Sequence, residues 1–292
     1  MNLLRDDGTF TSSKEDVVDI MVPYFHNLYG QSSRSAPLTS SDVAPFVDKC
    51  LDQAQGARLI AEVSAEEVKA ALFSMGDDKA PGPDGFTAKF FKKSWEIVGT
   101  DVVKAVQSFF SSGRLLGQVN ATIISLIPKV PHPETPSQFR PISCCNVLYK
   151  VITKILANRI KPILSGLVEV SQAAFVPGRS IGDNVLLAQE LVFQYHLHQG
   201  PPRCAMKVDL AKAYDTVEWD FLLMTLHVMN FPPQFCGWIR ECISTPRYSV
   251  KINGQLHGFF PGGRGLRQGD PLSPYLFVLV MQVLQGNSLH FI

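Results

Sequence analysis

The sequence has no long apolar run and no marked excess of charge of either sign. Its 292 residues carry a formal net charge of +1, so any surface that binds nucleic acid must be local. The longest apolar stretch, residues 275–284, is interrupted by Gln282 and is too short to span a bilayer. No secretory signal is recognisable at the start. These absences predict a protein of the nucleus or cytoplasm that is neither secreted nor inserted in a membrane.

Zinc and redox motifs are missing as well. The six cysteines are scattered, without the short spacing of zinc ligands or of a redox pair, so we expect reduced thiols. With 46% hydrophobic residues, the chain is long and apolar enough to bury a sizeable core. That core would belong to one large domain or to two small ones.

The first 63 residues carry the weakest signals. Ser13 followed by Asp16 is typical of a helix start, and apolar residues continue beyond it at helical spacing. Pro23 interrupts that run, which predicts a kink or two short helices. Residues 31–41 are rich in Ser, Pro and Thr and resemble a linker. We therefore expect residues 1–63 to form an N-terminal appendage and linker.

A turn dense in proline and glycine, KAPGPDGF at residues 79–86, follows a helix predicted to begin after Ser64. Such a turn can simply join two helices. It can also present backbone N–H groups and Lys79 to a phosphate. The sequence alone leaves both interpretations open.

A long amphipathic pattern runs from residue 146 to about residue 164 and predicts a helix. Its charged residues are all basic, with no acidic residue between them: Lys150, Lys154, Arg159 and Lys161. Like charges on one helix repel each other, and a bound polyanion would offset that repulsion. The pattern is therefore compatible with a nucleic-acid-binding face and also with an ordinary solvated face.

The stretch around which the chain is organised is AMKVDLAKAYD, residues 205–215. It predicts a short buried strand over residues 204–209 that ends on Asp209 and leads into a tight turn carrying Tyr214. A carboxylate at a strand end suits Mg²⁺, which takes one or two carboxylates together with substrate phosphates. The alternative is that Asp209 only caps the following turn.

Five blocks in a fixed order carry a family resemblance. They are APGPDGF (80–86), LIPKV with FRPISCCNVLYKVITKILANRI (126–130 and 139–160), SQAAFVPGRSIGDN (171–184), KVDLAKAYDTV (207–217) and GLRQGDPLSPYLF (265–277). Together they resemble the reverse transcriptase domain of LINE-type (non-LTR) retrotransposons, particularly of the kind abundant in plant genomes. The resemblance covers about residues 65–284.

This resemblance implies a helix-rich α+β fold of the right-hand polymerase type. Fingers would span about residues 65–200 and a partial palm about residues 201–284, with the thumb missing and residues 285–292 outside the family pattern. The implied function is RNA-directed DNA polymerase. The implied partners are an RNA template, a DNA primer and deoxynucleoside triphosphates, and the implied cofactor is Mg²⁺.

The resemblance also implies roles for individual residues of the central stretch. Asp209 matches a catalytic metal ligand in a reaction that uses two metal ions for phosphoryl transfer. Tyr214 matches the aromatic residue that lies under the sugar and excludes a 2′-hydroxyl. Backbone N–H groups between these two residues would lie near the triphosphate, those of Leu210, Ala211, Lys212 and Ala213.

Four residues outside that stretch complete the expected nucleotide site. Lys129 and Arg140 match residues that clamp the triphosphate, where Arg offers bidentate geometry. Gln268, with Gly269, matches the loop that contacts the nucleotide and the template base. Two further acidic residues, Asp215 and Asp270, are interpreted as structural and not as metal ligands.

One family motif has no match. The second carboxylate pair of the family lies in a Phe/Tyr-Ala-Asp-Asp hairpin, and no such sequence occurs in residues 1–292. One carboxylate does not hold two Mg²⁺ ions against their mutual repulsion. We therefore expect a truncated domain that is inactive in DNA synthesis and exposes an unpaired strand edge and apolar surface. The alternatives are a non-enzymatic nucleic-acid-binding remnant and a retroelement relic without function.

Overall fold

The computed structural model describes residues 3–5, 7–30, 39–193 and 207–289, with side chains up to residue 286. Its helices are α1 (Lys14–Gly30), α2 (Ser40–Val43), α3 (Gln53–Leu59), α4 (Ala65–Phe73), α5 (Ala88–Lys93), α6 (Trp95–Ser112), α7 (Val147–Ile160), α8 (Leu164–Leu167), α9 (Ile181–Val192), α10 (Trp219–Val228), α11 (Pro233–Ser244) and α12 (Ser273–Leu289). Short 3₁₀ helices cover Ala44–Phe46, Pro136–Gln138 and Ala213–Thr216. Within these ranges no helix combines the length and apolar character needed to cross a membrane. The helix-rich α+β class is confirmed.

Four strands form one mixed sheet in the order β2-β1-β3-β4. The strands are β1 (Ala121–Pro128), β2 (Phe139–Cys145), β3 (Arg247–Ile252) and β4 (Gln255–Pro261). The β1–β2 and β3–β4 pairs are antiparallel, whereas β1 and β3 pair in parallel, with Ala121 opposite Arg247. The sequence Asn253-Gly254 is a strong signal for a hairpin turn, and it forms the turn between β3 and β4, with φ of 49° and 85°. A type I′ turn requires positive φ at both central residues, which Asn and Gly tolerate best.

Helix α1 packs on one face of this sheet. Its start is the predicted one, because Ser13 Oγ accepts the backbone N–H of Asp16 at 3.0 Å and Asp16 Oδ2 accepts the N–H of Ser13 at 3.1 Å. Val17, Met21 and Phe25 follow at helical spacing and are buried with apolar side chains of the sheet, Ile124, Val250, Ile252 and Phe260. The expected appendage is therefore wrong for this helix, which covers the sheet and shares its core.

Two predicted helix boundaries also differ from the structure. Of the two alternatives expected at Pro23, the pair of short helices is wrong, because one helix, α1, contains this proline. The sequence also predicts two helices at about residues 87–97 and 100–112. The break between them lies earlier, at Ser94, whose Oγ donates to the Phe90 carbonyl at 2.7 Å. A glycine that follows a helical pattern predicts a helix end, and Gly113 ends α6 at φ 67°, where its N–H donates to the Phe109 carbonyl at 2.7 Å. A residue in this left-handed conformation is a common helix end because glycine adopts it without a Cβ penalty.

The larger core surrounds α7, which packs against α3, α4 and α6. Most of its residues are buried, including Tyr149, Val151, Ile152, Ile155, Leu156 and Ile160. The predicted helix is confirmed, but it lies inside the protein. A long basic face open to solvent is therefore wrong for this helix.

The turn at residues 79–86 packs against the start of α7. A Cβ added to Gly82 would lie 2.2 Å from Asn146 Oδ1 and 2.3 Å from the Asn146 backbone nitrogen, so only glycine fits there. Asn146 Oδ1 accepts the N–H of Asp84 at 3.2 Å, and its Nδ2 donates to the Gln118 carbonyl at 2.8 Å. These contacts favour the interpretation that the turn joins and orients helices.

The buried strand predicted to end on Asp209 is not found in the described residues. Residues 204–206 lie outside them, and residues 207–210 belong to no helix or strand, with Val208 71% exposed. Strands are held by ladder hydrogen bonds and by packing against neighbours, and no described segment pairs with residues 207–210. Exposed apolar side chains also line α9, among them Ile181, Val185, Leu186 and Leu191. Apolar side chains are thus exposed at Val208 and along α9.

Candidate nucleotide-binding site

The turn that carries Tyr214 has the tight geometry that the sequence predicts. Lys212 has φ 52° and ψ 37°, the left-handed conformation, and a 3₁₀ helix follows from Ala213 to Thr216. The Tyr214 ring stacks on Phe277 of α12, with centroids 4.3 Å apart and planes 22° apart. Burial raises the pKa of Tyr214 to about 12. The ring is therefore held flat and neutral beside the turn, as a contact surface for a ligand would require.

Asp215, the next residue, lies below the turn and is 4% exposed. Its Oδ1 accepts the Tyr29 hydroxyl at 2.8 Å and the Gln268 side-chain amide at 3.3 Å. Burial raises the pKa of Asp215, and these two hydrogen bonds, with the charges of Lys212 and Lys129, act in the opposite direction. The carboxylate is occupied by protein donors, which agrees with its interpretation as structural.

The glycine-rich loop, residues 262–271, lies against this turn. The Leu266 N–H donates to the Tyr214 carbonyl at 2.7 Å, and the Gly265 N–H donates to the Val217 carbonyl at 2.8 Å. Gly265 has φ 87°, and a Cβ there would lie 2.6 Å from the Asp215 carbonyl oxygen. The loop approaches the turn so closely because this position has no side chain.

The same loop is also joined to strand β2. The Ser143 N–H donates to the Gln268 carbonyl at 2.8 Å. Gly269 has φ 111°, and a Cβ there would lie 3.0 Å from the Ser143 carbonyl oxygen. Gln268 is half-buried and Gly269 exposed. The predicted pair therefore lies between β2 and the Tyr214 turn.

Lys129 and Arg140 lie together at one end of the β1–β2 hairpin. Ile127 pairs with Arg140 in this hairpin, and Lys129 follows directly after β1. Both basic side chains are exposed, and Lys129 Nζ donates to the Ser137 carbonyl at 2.8 Å. The Lys129 charge also opposes the rise that burial causes in the pKa of Asp215. The hairpin end thus presents two exposed cations, of which Lys129 lies close enough to the Tyr214 turn for its charge to act on Asp215.

Arg267 is a residue of this loop that the sequence analysis did not single out. It is 5% exposed, and its guanidinium donates to Asn120 Oδ1 at 2.6 Å, to the Cys242 carbonyl at 2.7 Å and to the Tyr149 hydroxyl. The group also lies 4.0 Å from the Tyr149 ring centroid. Its only signal in the sequence is its position next to Gln268. Arg267 fixes the loop to β1, α7 and α11.

Asp270 belongs to the same network. Its Oδ2 accepts the Tyr149 hydroxyl at 2.8 Å and lies 3.9 Å from Arg267 Nη2, and its Oδ1 accepts the Leu272 N–H at 3.1 Å. The side chain is 5% exposed. These contacts agree with the interpretation of Asp270 as structural.

Asp209 is exposed and precedes the turn, together with Leu210 and Ala211. In the part of the chain that the structure describes, no three His, Cys, Asp or Glu side chains converge as metal ligands. A single carboxylate fits Mg²⁺ as one ligand beside substrate phosphates. Asp209 therefore fits as a partial donor set that further oxygen ligands would have to complete.

The structure corrects the nucleic-acid-binding role predicted for Arg159. Its guanidinium forms a bidentate pair with Glu67, at 2.9 and 2.8 Å, and donates to the carbonyls of Leu59 at 2.9 Å and Ala61 at 2.7 Å. The side chain is 9% exposed. A longer bond to the Glu62 carbonyl, at 3.4 Å, uses the fifth N–H of the guanidinium. Arg159 thus joins α7 to α3 and α4 and has no remaining donor for a phosphate.

The other three basic residues that were predicted to bind nucleic acid differ in position. Lys150 Nζ donates to the Ala80 carbonyl at 2.9 Å and so helps to hold the turn at residues 79–86. Lys154 is half-buried, and Lys161 is exposed just after the helix. The predicted basic face is therefore divided, with only Lys161 of the four fully on the surface.

Comparisons with known proteins identify the fold family. A family model described as reverse transcriptase (RNA-dependent DNA polymerase) matches residues 127–290, which is more than half of the chain. The chain belongs to the reverse transcriptase family. The match contains the Tyr214 turn, the Gln268 loop and most of the β1–β2 hairpin end, and it excludes α1.

Relatives of this reverse transcriptase domain occur in retrotransposons of the non-LTR kind. The transposon TX1 uncharacterized 149 kDa protein of Xenopus laevis is 30% identical over 282 residues, which are 96% of this chain and 21% of the relative. The Pol polyprotein from type-2 retrotransposable element R2DM of Drosophila melanogaster is 28% identical over 267 residues, 91% of this chain and 24% of the relative. The domain thus spans about a fifth to a quarter of these proteins.

A shorter and closer match is found in a mitochondrial protein. An uncharacterized mitochondrial protein of Arabidopsis thaliana is 63% identical over 35 residues, which are 12% of this chain and 29% of that protein. This similarity is confined to a short stretch of the chain.

Proposed function

We propose that this domain binds the incoming deoxynucleoside triphosphate, and the template opposite it, for RNA-directed DNA synthesis. The observation that carries the proposal is the joining of three separate blocks of sequence. The Gln268 loop is hydrogen-bonded to the Tyr214 turn through Leu266 and to strand β2 through Ser143. Residues far apart in sequence are thereby joined, which supports their use as one binding surface.

Each part of this surface suits one part of a nucleotide. Lys129 and Arg140 provide cations for the triphosphate, with Arg able to bind two oxygens at once. The stacked ring of Tyr214 provides a flat wall beside the sugar, where a 2′-hydroxyl would collide with it. Gln268 supplies an amide that donates and accepts hydrogen bonds. In this assignment the β1–β2 hairpin belongs to the fingers and the Tyr214 turn to the palm.

Asp209 would hold Mg²⁺ together with oxygens of the triphosphate. Bound Mg²⁺ supplies neutralisation of phosphate charge and activation of the primer hydroxyl. Residues 1–292 provide Asp209 alone of the carboxylates that the family resemblance implies. We propose that this polypeptide by itself binds nucleotide without extending a primer.

A nucleic-acid-binding remnant built on α7 is the less favoured function. Arg159 is paired with Glu67, and Lys150 donates to the chain itself. Two of the four cations of that helix region are therefore already engaged by other groups of the protein.

The test is a titration of the 292-residue polypeptide with dATP and with ATP in the presence of Mg²⁺. We expect dATP to bind more tightly than ATP and Tyr214→Ala to reduce that preference. Lys129→Met should weaken both about tenfold, as expected for a lost charge-assisted hydrogen bond. Lys104→Met, an exposed lysine of α6, is the matched control. Equal affinities for the two nucleotides, or equal effects of the two lysine variants, would contradict the proposal.

Primer extension on an RNA template provides the second measurement. Neither the unmodified polypeptide nor Asp209→Ala is expected to extend the primer. Extension that disappears in Asp209→Ala would show that other groups complete the metal site, and the proposed lack of synthesis would be wrong.

A further inference from the structure

A tyrosine of the N-terminal helix contacts the candidate nucleotide site from outside the family match. The hydroxyl of Tyr29, in the last turn of α1, donates to Asp215 Oδ1 at 2.8 Å. The Gln268 side-chain amide donates to the same oxygen at 3.3 Å. One carboxylate oxygen therefore joins the N-terminal helix to a residue of the proposed nucleotide surface, although Tyr29 and Asp215 are 186 residues apart.

The orientation of the Gln268 amide follows from this contact. An ionised carboxylate only accepts hydrogen bonds, so the NH₂ end of the amide must face Asp215. The side-chain oxygen Oε1 of Gln268 and the second N–H of its side-chain amide are then left for a ligand. At 3.3 Å the bond from Gln268 is longer than usual, and the stronger bond from Tyr29 is the contact that fixes the position of the carboxylate.

The backbone of α1 holds the same loop. The Tyr29 carbonyl accepts the N–H groups of Gly263 at 2.6 Å and Arg264 at 3.2 Å. Arg264 Nε in turn donates to the Leu28 carbonyl at 2.9 Å. The last carbonyls of a helix have no partner within it, and here the glycine-rich loop provides those partners. The C-terminus of α1 and the Gln268 loop are thus joined directly.

Helix α1 also reaches the second element of the surface. Lys212 Nζ lies 4.7 Å from the centroid of the Tyr24 ring, within cation–π distance. Lys212 begins the turn that carries Tyr214. A single helix therefore contacts both the Tyr214 turn and the Gln268 loop.

We infer that Tyr29 is a positioning residue of the nucleotide site, which orients the Gln268 amide through the buried carboxylate of Asp215. This inference rests on the proposed function for its ligand class, a deoxynucleoside triphosphate. It gives α1, which lies before the residues matched by the family model, a role in the nucleotide site. The Tyr29 hydroxyl acts through Asp215 and does not itself contact the nucleotide.

The ring and the hydroxyl of Tyr29 can be separated experimentally. The ring stacks on Tyr248, with centroids 5.2 Å apart, and on Phe25, with centroids 6.4 Å apart. Tyr29→Phe keeps this packing and removes only the donor to Asp215. Val17→Ala is the matched control, because it loosens the buried face of the same helix about three turns, or about 18 Å, away from Tyr29.

The experiment uses the 292-residue polypeptide labelled with ¹⁵N-glutamine, in which the loss of one signal in Gln268→Ala identifies the Gln268 side-chain amide. Tyr29→Phe should move this signal towards that of a free amide and weaken dATP binding about tenfold. Val17→Ala should lower the unfolding midpoint and leave both the signal and the affinity unchanged. In a Gln268→Ala background, Tyr29→Phe should cause no further loss of affinity, since the two residues act in series.

An unchanged Gln268 signal in Tyr29→Phe would overturn the inference, as would losses of affinity that add in the double variant. If the unmodified polypeptide binds no dATP while Tyr29→Phe still moves the signal, the proposed function fails and the orientation of Gln268 by Tyr29 stands. Equal responses to Tyr29→Phe and Val17→Ala would show that the hydroxyl matters only for stability, which would also overturn it.

Discussion

Replacing Arg159 by Met tests whether this arginine stabilises the fold or binds nucleic acid. The guanidinium makes two hydrogen bonds to the Glu67 carboxylate and two to the carbonyls of Leu59 and Ala61, all between 2.7 and 2.9 Å. Methionine keeps most of the length of the side chain and loses every donor. Removing the arginine therefore leaves one carboxylate and two carbonyl groups without their partner.

The expected cost follows from the exposure of the two partners. A hydrogen bond to a charged group contributes about 1.5–3 kcal/mol, and loss of one partner of a buried pair costs about 3–5 kcal/mol. Arg159 is 9% exposed but Glu67 is 30% exposed, so water regains part of the carboxylate in the variant. We expect the free energy of unfolding to fall by about 2–4 kcal/mol.

Urea unfolding of the wild-type chain, Arg159→Met and Lys161→Met measures this cost. The exposed Lys161 should change the free energy of unfolding by no more than about 0.5 kcal/mol. For the folded proteins, the salt dependence of RNA binding should be the same in Arg159→Met as in wild type. The reasoning is refuted if Arg159→Met is as stable as Lys161→Met and its salt slope falls by about one, the signature of a lost phosphate contact.

Three further predictions concern buried contacts. Arg267→Lys should lower the free energy of unfolding by about 2–4 kcal/mol in urea titrations, because an ammonium group cannot reproduce the planar set of donors; a loss below about 0.5 kcal/mol would contradict this. Gly82→Ala should lower the free energy of unfolding by at least about 2 kcal/mol, because the added Cβ would overlap Asn146. Gly85→Ala has open space around it but a φ of 76°, so it should lower the free energy of unfolding by about 1 kcal/mol. Equal thermal midpoints for the two variants would argue against the clash. Burial raises the pKa of Asp215, so the stability that this carboxyl group contributes is fully present below its ordinary pKa and is lost as pH rises through its raised pKa in the folded protein. From about pH 4 upwards, wild type should therefore lose stability relative to Asp215→Asn. A constant difference between the urea midpoints of the two proteins across that range would count against the shift.

The parts of the fold that the sequence predicts correctly depend on a few neighbouring residues. The turn at Asn253-Gly254 and the helix end at Gly113 need positive φ, which Asn and Gly tolerate. The start of α1 depends on a hydrogen bond between residues three positions apart. Such signals are complete within one short stretch of sequence.

The predictions that the structure does not confirm concern contacts between residues that are distant in sequence. Arg159 lies on a helix without acidic residues around it, and its carboxylate partner is 92 residues away on α4. Helix α1 shows only a helical pattern, whereas its place on the sheet depends on β3 and β4 near the other end of the chain. The strand predicted at Asp209 has local β character, and no described segment pairs with it. Periodicity reveals which side of an element is apolar and not what covers it.

The order of strands in the sheet also has a consequence for how the chain folds. The β1–β2 and β3–β4 hairpins are local, but β1 pairs in parallel with β3, and α1 lies over strands that end at Pro261. A ribosome adds about 5–20 residues per second. The apolar face of α1 is therefore synthesised on the order of 10–50 s before β3 and β4, the strands that it covers, are complete. Pairings of such long range are slow to form. During synthesis α1 is therefore a segment that chaperones would be expected to bind, and the nucleotide site would be among the last parts to assemble.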